Sequence, residues 1–213
     1  MQRLGLQMSA LNRYKQCGAW AWSLILVCVL SSCGTTSTFR GELELQTKYE
    51  TGSPFVDGAT LYLDDAFVNY TSRFEVGVWS HVIVPLGDPL ARQAELIVRS
   101  AIPNVRVVRG PEAPAGLVIR PHVTQVVRTT TGSPSIDRTI GIFIRWEVRD
   151  GRKVILRELV HGFGRGRMGR ELSKSDRDLQ LKLQLEQAFN EVFEQSYEAL
   201  RTNPELQPIG KGG

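Results

Sequence analysis

Hydrophobic positions change their spacing along this chain, and the spacing predicts most of its elements. Ala19 to Leu30 (AWAWSLILVCVL) is apolar almost throughout. Residues 34–58 are small, polar and turn-rich and predict a tether, within which Leu43, Leu45 and Tyr49 admit a short edge strand. Thr60–Tyr70 and Phe74–Pro85, rich in Val, Tyr, Phe and Trp, predict two strands. Leu90, Ala94, Ile97, Val98, Ala101 and Ile102 then recur at helical period, with Asp88 as N-cap, Pro89 at the first helical position and Pro103 as stop.

Asn104–Arg109 and Leu117–Thr130 predict further strands. In Thr139–Arg149, Ile140, Ile142, Ile144, Trp146 and Val148 alternate with Gly141, Phe143, Arg145, Glu147 and Arg149, the period of a strand with two unlike faces. Asp150-Gly151 suits a two-residue type I′ turn, and Lys153–Phe163 returns as the antiparallel partner. The register of this hairpin is left open, because a change of one residue in the loop swaps the buried face. Ser175, with Asp178 three residues on, predicts the start of a long helix with Leu185, Ala188, Phe189, Val192, Ala199 and Leu200 on its buried stripe, stopped at Asn203-Pro204. The order β-β-α-β-β-β-β-α predicts an α+β two-layer sandwich: a mostly antiparallel sheet with two amphipathic helices on one face.

The first apolar stretch has a different destiny. A membrane-spanning helix needs roughly 18–20 apolar residues, and Ala19–Leu30 is too short, whereas Arg13 and Lys15 followed by this core fit a signal peptide. Met8 is an alternative start. Leu30-Ser31-Ser32-Cys33 follows at once and resembles the lipobox of bacterial lipoproteins. That resemblance implies thioether acylation of Cys33, cleavage before it and acylation of the new amino group, giving a membrane anchor (palmitate among its acyl groups). Gly34, where a retained inner-membrane lipoprotein carries aspartate, implies an outer-membrane anchor facing the periplasm. The domains are then a signal peptide (1–32), lipidated Cys33 and tether (33–58), a periplasmic α+β domain (59–202) and a disordered tail (203–213).

Composition supports export and weakens a first impression. The sequence pI of about 9.1 suggests a polyanion partner, but removing Arg3, Arg13 and Lys15 from 26 basic residues leaves 23 against 22 acidic ones. Charge therefore makes no case for nucleic acid. Cys17 and Cys28 lie in the leader, so Cys33 is the single cysteine of the mature chain and no internal disulfide can form.

Candidate chemistry is sparse. His81, His122 and His161 are the only histidines, all on predicted strands and none with His or Cys at metal-ligand spacing, so no metal or cofactor is expected. Asp64 and Asp65 sit side by side on a predicted strand and point to opposite faces, which does not make a catalytic pair. Residues 164–169 match G-x-G-x-x-G but lack the strand–turn–helix setting of a dinucleotide site. Arg165, Arg167, Arg170 and Lys174 make this predicted loop basic; it is either a solvated connection or a contact for an anionic lipid or acidic partner.

Over residues 60–201 the element order resembles the lipopolysaccharide-assembly lipoprotein family, and auxiliary lipoproteins of ABC-type lipid transporters are similar. The resemblance implies a non-enzymatic accessory role beside an outer-membrane barrel or transporter component, with lipid or lipopolysaccharide as a further ligand. A hydrolase acting on envelope glycans is the competing expectation and requires a deep polar cleft.

Overall fold

The computed structural model describes residues 35–49, 58–75, 80–102, 104–110, 114–130, 136–168, 173–204 and 206. The predicted leader, Cys33, Arg170 and most of the predicted tail lie outside them. Strands form two sheets. One has three strands in the order β1 (Thr35–Thr38), β4 (Ser80–Pro85), β3 (Thr71–Glu75). The other has five in the order β5 (Val105–Arg109), β2 (Ala59–Leu63), β6 (Leu117–Thr130), β7 (Ile136–Asp150), β8 (Lys153–Met168). The helices are α1 (Asp65–Val68), α2 (Gly87–Ala101) and α3 (Lys174–Thr202). The architecture is α+β, with helices packed against strands.

The chain divides into two compact units. In the first, whose described residues are Thr35–Ser37, Glu75 and Ser80–Val82, the hydroxyls of Thr35 and Ser80 lie 3.1 Å apart. The second, Thr38–Phe74 with Ile83–Gly213, holds the five-stranded sheet and the three helices of the described residues.

Within that sheet β2 pairs in parallel with both β5 and β6, while β6, β7 and β8 form antiparallel hairpins. A strand between two parallel neighbours is covered on both sides, which explains why Leu61, Tyr62 and Leu63 are all buried rather than alternating. The predicted first strand, Thr60–Tyr70, is shorter than expected. It breaks at Asp64, whose carboxylate accepts the Phe67 N–H at 2.8 Å and caps α1.

α2 starts one residue before its expected cap. The N–H groups of Leu86 and Gly87 both donate to the Tyr70 carbonyl at 2.9 Å, so no side-chain cap is needed and Asp88 lies in the first turn. Gly87 is required there: a Cβ would stand 1.9 Å from the Val68 carbonyl oxygen. α3 begins two residues earlier than predicted, on a capping box between Ser173 and Asp176 rather than on Ser175. Its stripe packs on β7, where the Trp146 indole N–H donates to Ser196 Oγ at 2.8 Å. Asp150 pairs with Lys153, leaving Gly151 and Arg152 as the turn. Among the described residues positive φ is confined to glycine and Gly151 has φ +56°, which excludes type I′ and fits the type II′ pattern.

The largest departure from the sequence reading concerns the glycine-rich segment 162–169. Gly162 to Met168 is strand, paired with β7 from Ile142 back to Ile136. Gly162, Gly164 and Gly166 lie at strand period against α3, and a Cβ on Gly164 would come 1.7 Å from the Gln184 carbonyl oxygen. These glycines let helix and strand backbones touch; they do not cradle a phosphate.

α3 also serves the free edge of β8. The N–H groups of His161, Phe163 and Arg165 donate to the side chains of Gln195 (3.4 Å), Glu191 (2.8 Å) and Gln187 (3.0 Å). Four helical residues advance about 6 Å and two strand residues about 6.6 Å, so the two ladders stay in step. Side chains thus satisfy an edge that would otherwise invite another strand.

Candidate functional site

α3 rests on one side of the β7–β8 hairpin, and the composition of the opposite side sets it apart as the candidate site. The residues of β7 that alternate away from the helix are Gly141, Phe143, Arg145, Glu147 and Arg149, paired in register with Phe163, His161, Leu159, Arg157 and Val154 of β8. Phe143, His161 and Phe163 form one aromatic cluster, with ring centroids 5.1–5.9 Å apart. Gly141 makes room for it, since a Cβ there would press on the Phe163 ring at 2.9 Å. Leu159 beside the cluster is 55% exposed, and His161 is exposed as well. Exposed arginines flank the apolar centre: Arg145 and Arg165 have no ion-pair partner among the described residues.

Two ion-pair networks sit on the same face. Glu147, 5% exposed, accepts from Arg149 Nε at 2.5 Å and from Arg157 Nη2 at 2.8 Å. Burial alone would raise the Glu147 carboxyl, but the two guanidiniums outweigh it and hold it below the ordinary value. One strand over, Arg120 donates Nε and Nη2 to Asp64 Oδ2 at 3.2 and 2.6 Å and lies over the Tyr62 ring at 5.2 Å. Burial opposes the Asp64 charge, yet Arg120 and the Phe67 N–H keep that carboxyl low. His122 Nδ1 is 3.9 Å from Asp64 Oδ2. Burial and then the Arg120 charge push its imidazole below the usual 6.5, with Asp64 pulling weakly the other way.

An unexpected feature borders the helices. Residues 39–49, part of the predicted tether, are extended without regular structure and run between α2 and α3. The N–H groups of Glu44 and Gln46 donate to Glu186 (2.6 Å) and Asn190 (3.0 Å), and Gln93 donates to the Gln46 carbonyl at 2.9 Å. Lys182 pairs with Glu44 at 2.7 Å, and the Tyr49 and Tyr197 rings lie 5.3 Å apart. Burial, and then the Glu194 charge, push the Tyr49 phenol up to about 12. Alternating Leu43 and Leu45 reflect this extended run, but the strand itself lies earlier, at Thr35–Thr38. Between this strap and α2 is a cavity of about 850 Å³ lined by Phe39, Leu43, Leu45, Tyr70, Arg92 and Leu96 among others.

The residues singled out from sequence are spread rather than gathered. Arg165 is exposed on β8, Arg167 lies in the same strand, Lys174 opens α3 and is exposed, and Arg170 falls outside the described residues. Asp64 and Asp65 belong to a helix start, not a strand. His122 and His161 occupy different strands, with His122 opposite Arg145 and His161 opposite Phe143. Among the described residues no three His, Cys, Asp or Glu side chains are grouped to hold a metal. The Asp64–Arg120 pair leaves no signal in the sequence, because the helix turn that presents Asp64 lies within a run of strand-like composition.

No family model matches the chain, and no curated protein matches it. Among solved structures it is similar to a minor lipoprotein from Acinetobacter baumannii, at 9% identity and TM-score 0.46 over 70% of this chain and 95% of that one. It is similar to a DUF330-family protein from Xanthomonas campestris, at 10% identity and TM-score 0.39 over 76% and 92%. A hypothetical protein from Chlamydia trachomatis gives 15% identity and TM-score 0.36 over 70% and 100%. Likenesses this distant carry no argument about activity or partners. No helix of the described residues is long and apolar enough to cross a membrane.

Proposed function

We propose that this chain is an outer-membrane-anchored periplasmic lipoprotein that acts, without catalysis of its own, as an accessory component of an envelope transport or assembly complex. The observation that carries the reading is the aromatic face of β7 and β8. Phe143, His161, Phe163 and a 55%-exposed Leu159 form an apolar centre, with the exposed arginines Arg145 and Arg165, which have no ion-pair partner among the described residues, around it. An apolar centre inside a charged rim is the composition of a protein contact surface. The leader and Cys33 supply the second support, placing the domain at a membrane where such a partner resides. Two or more acyl chains hold a protein stably where one is marginal.

The strap links these parts. Cys33 lies six positions before Phe39, at most about 20 Å of extended chain, and Glu44 and Gln46 tie the chain to α3. The anchor is therefore a short lead onto the domain rather than a long leash. Cys33→Ser should move the protein from the membrane to the soluble fraction and abolish incorporation of labelled palmitate. Continued membrane fractionation together with label uptake would contradict the anchor.

A further inference from the structure

On the face of the sheet turned away from α3, Arg145 stands where the apolar centre meets the ion pairs. Its register partners are His122 on β6 and the exposed Leu159 on β8, and Phe143 and Glu147 flank it on the same face of β7. These neighbours all lie among the described residues. Glu147, the one carboxylate beside Arg145, is held by Arg149 and Arg157. Between the aromatic cluster and the Gly151 turn, this face therefore sets four guanidiniums (Arg120, Arg145, Arg149 and Arg157) against the carboxylates of Asp64 and Glu147. Asp64 is taken by Arg120, so the positive excess collects around Arg145 and the Arg149–Arg157 pair.

Glu147 engages one nitrogen of each of its arginines, whose side chains remain 48% and 57% exposed. A guanidinium has five N–H donors, so one bond exhausts neither. The buried carboxylate also fixes where the two side chains sit, which lowers the entropy cost of a second contact. A further carboxylate can accept two parallel N–H bonds from one such fork. Outward residues recur about every 6.6 Å along a strand, so Arg157 stands one step from Leu159 and Leu159 one step from His161. An extended segment with an apolar side chain beside carboxylates matches that spacing. A bilayer matches it less well. Phe143 and Phe163 are half-buried, and Leu159 and Val154 alone stand out as exposed large apolar side chains among the described residues of this face.

We infer that this face binds an acidic segment of a protein partner, its carboxylates meeting Arg145, Arg149 and Arg157 and its apolar side chain covering Leu159 and the aromatic rings. This partner chemistry rests on the contact surface proposed above and names what that surface selects.

The test places a photocrosslinker at Val154 of the lipidated full chain in cells. Val154 is 39% exposed on this face, opposite Arg149, and its replacement leaves Leu159 intact. The crosslinked peptide, sequenced by mass spectrometry, should carry an excess of Asp and Glu over Lys and Arg; this reading is made on a chain with every arginine in place. Arg145→Glu should cut the adduct yield at least about tenfold, because like charges brought together across an interface oppose binding strongly. Arg145→Lys should retain most of the yield. Lys174→Glu, an equal charge reversal at the exposed start of α3, should leave it unchanged. Arg145 is exposed, so the melting temperature of Arg145→Glu should match the parent's, which separates loss of the contact from loss of the fold. An adduct indifferent to Arg145→Glu, or a crosslinked peptide without acidic excess, would overturn the acidic assignment and leave the contact surface standing. No protein adduct from position 154 would remove both. Sedimentation of the Cys33→Ser chain with phosphatidylcholine vesicles containing phosphatidylglycerol, lost on Arg145→Glu, would assign the face to a bilayer instead.

Discussion

Glu147 and His122 face the same side of the sheet and respond to acid in different windows. Glu147 is held below its ordinary 4.5 by Arg149 and Arg157 against the pull of burial. Its stabilising contribution is full above about that value and is lost as pH falls through the depressed folded one. Replacing Glu147 by Gln leaves two guanidiniums short of a charged acceptor and should cost roughly 1–3 kcal/mol at neutral pH. His122 is neutral in the fold where the unfolded chain accepts a proton near 6.5. The unfolded state therefore binds more protons just below that pH, and stability should fall from pH 6.5 downward until the folded imidazole protonates too. Denaturant titrations across pH should show His122→Gln flattening the limb below 6.5, and Glu147→Gln flattening only the limb below about 4.5. A His122→Gln profile identical to the parent would contradict the environment described for that imidazole.

Helix α3 and strand β8 are fitted to each other by the glycines between them. Gly164→Ala drives a methyl into the α3 backbone, 1.7 Å from a carbonyl oxygen, whereas Gly166→Ala meets mainly the movable end of Gln184. Overpacking of this kind costs roughly 1–3 kcal/mol, so Gly164→Ala should be destabilising near the top of that range and Gly166→Ala near the bottom, measured by denaturant midpoint. Equal losses would mean that α3 does not approach β8 as closely as described. Much of this architecture was legible in sequence: the period-two run of Ile140 to Val148 marked β7 and its buried face, and the stripe from Leu90 to Ala101 marked α2. What escaped were features decided by tertiary contact. The three glycines spaced by two read as a loop because their partner, the α3 backbone, has no local signature. Parallel pairing of β2 left no trace beyond its lack of alternation, and the Tyr70 carbonyl replaced a side-chain cap that Asp88 was expected to provide.

At the scale of the molecule, two features of distinct chemistry stand out. The strap of residues 39–49 is tied to both long helices, and the aromatic face of β7 and β8 looks away from α3. The aromatic face was partly legible, since Phe143 and Arg145 fall on the outward positions of β7, but its assembly needed the register that brings His161 and Phe163 beside them. The account turns on that face being where an envelope partner binds. The most direct measurement is in-cell photocrosslinking of the lipidated protein with the crosslinker placed at Leu159, compared with placement at Leu179, an exposed leucine of α3. We expect one dominant envelope-protein adduct from position 159 and none of that identity from position 179. No protein adduct at 159, or the same adduct in equal yield from both positions, would contradict the account.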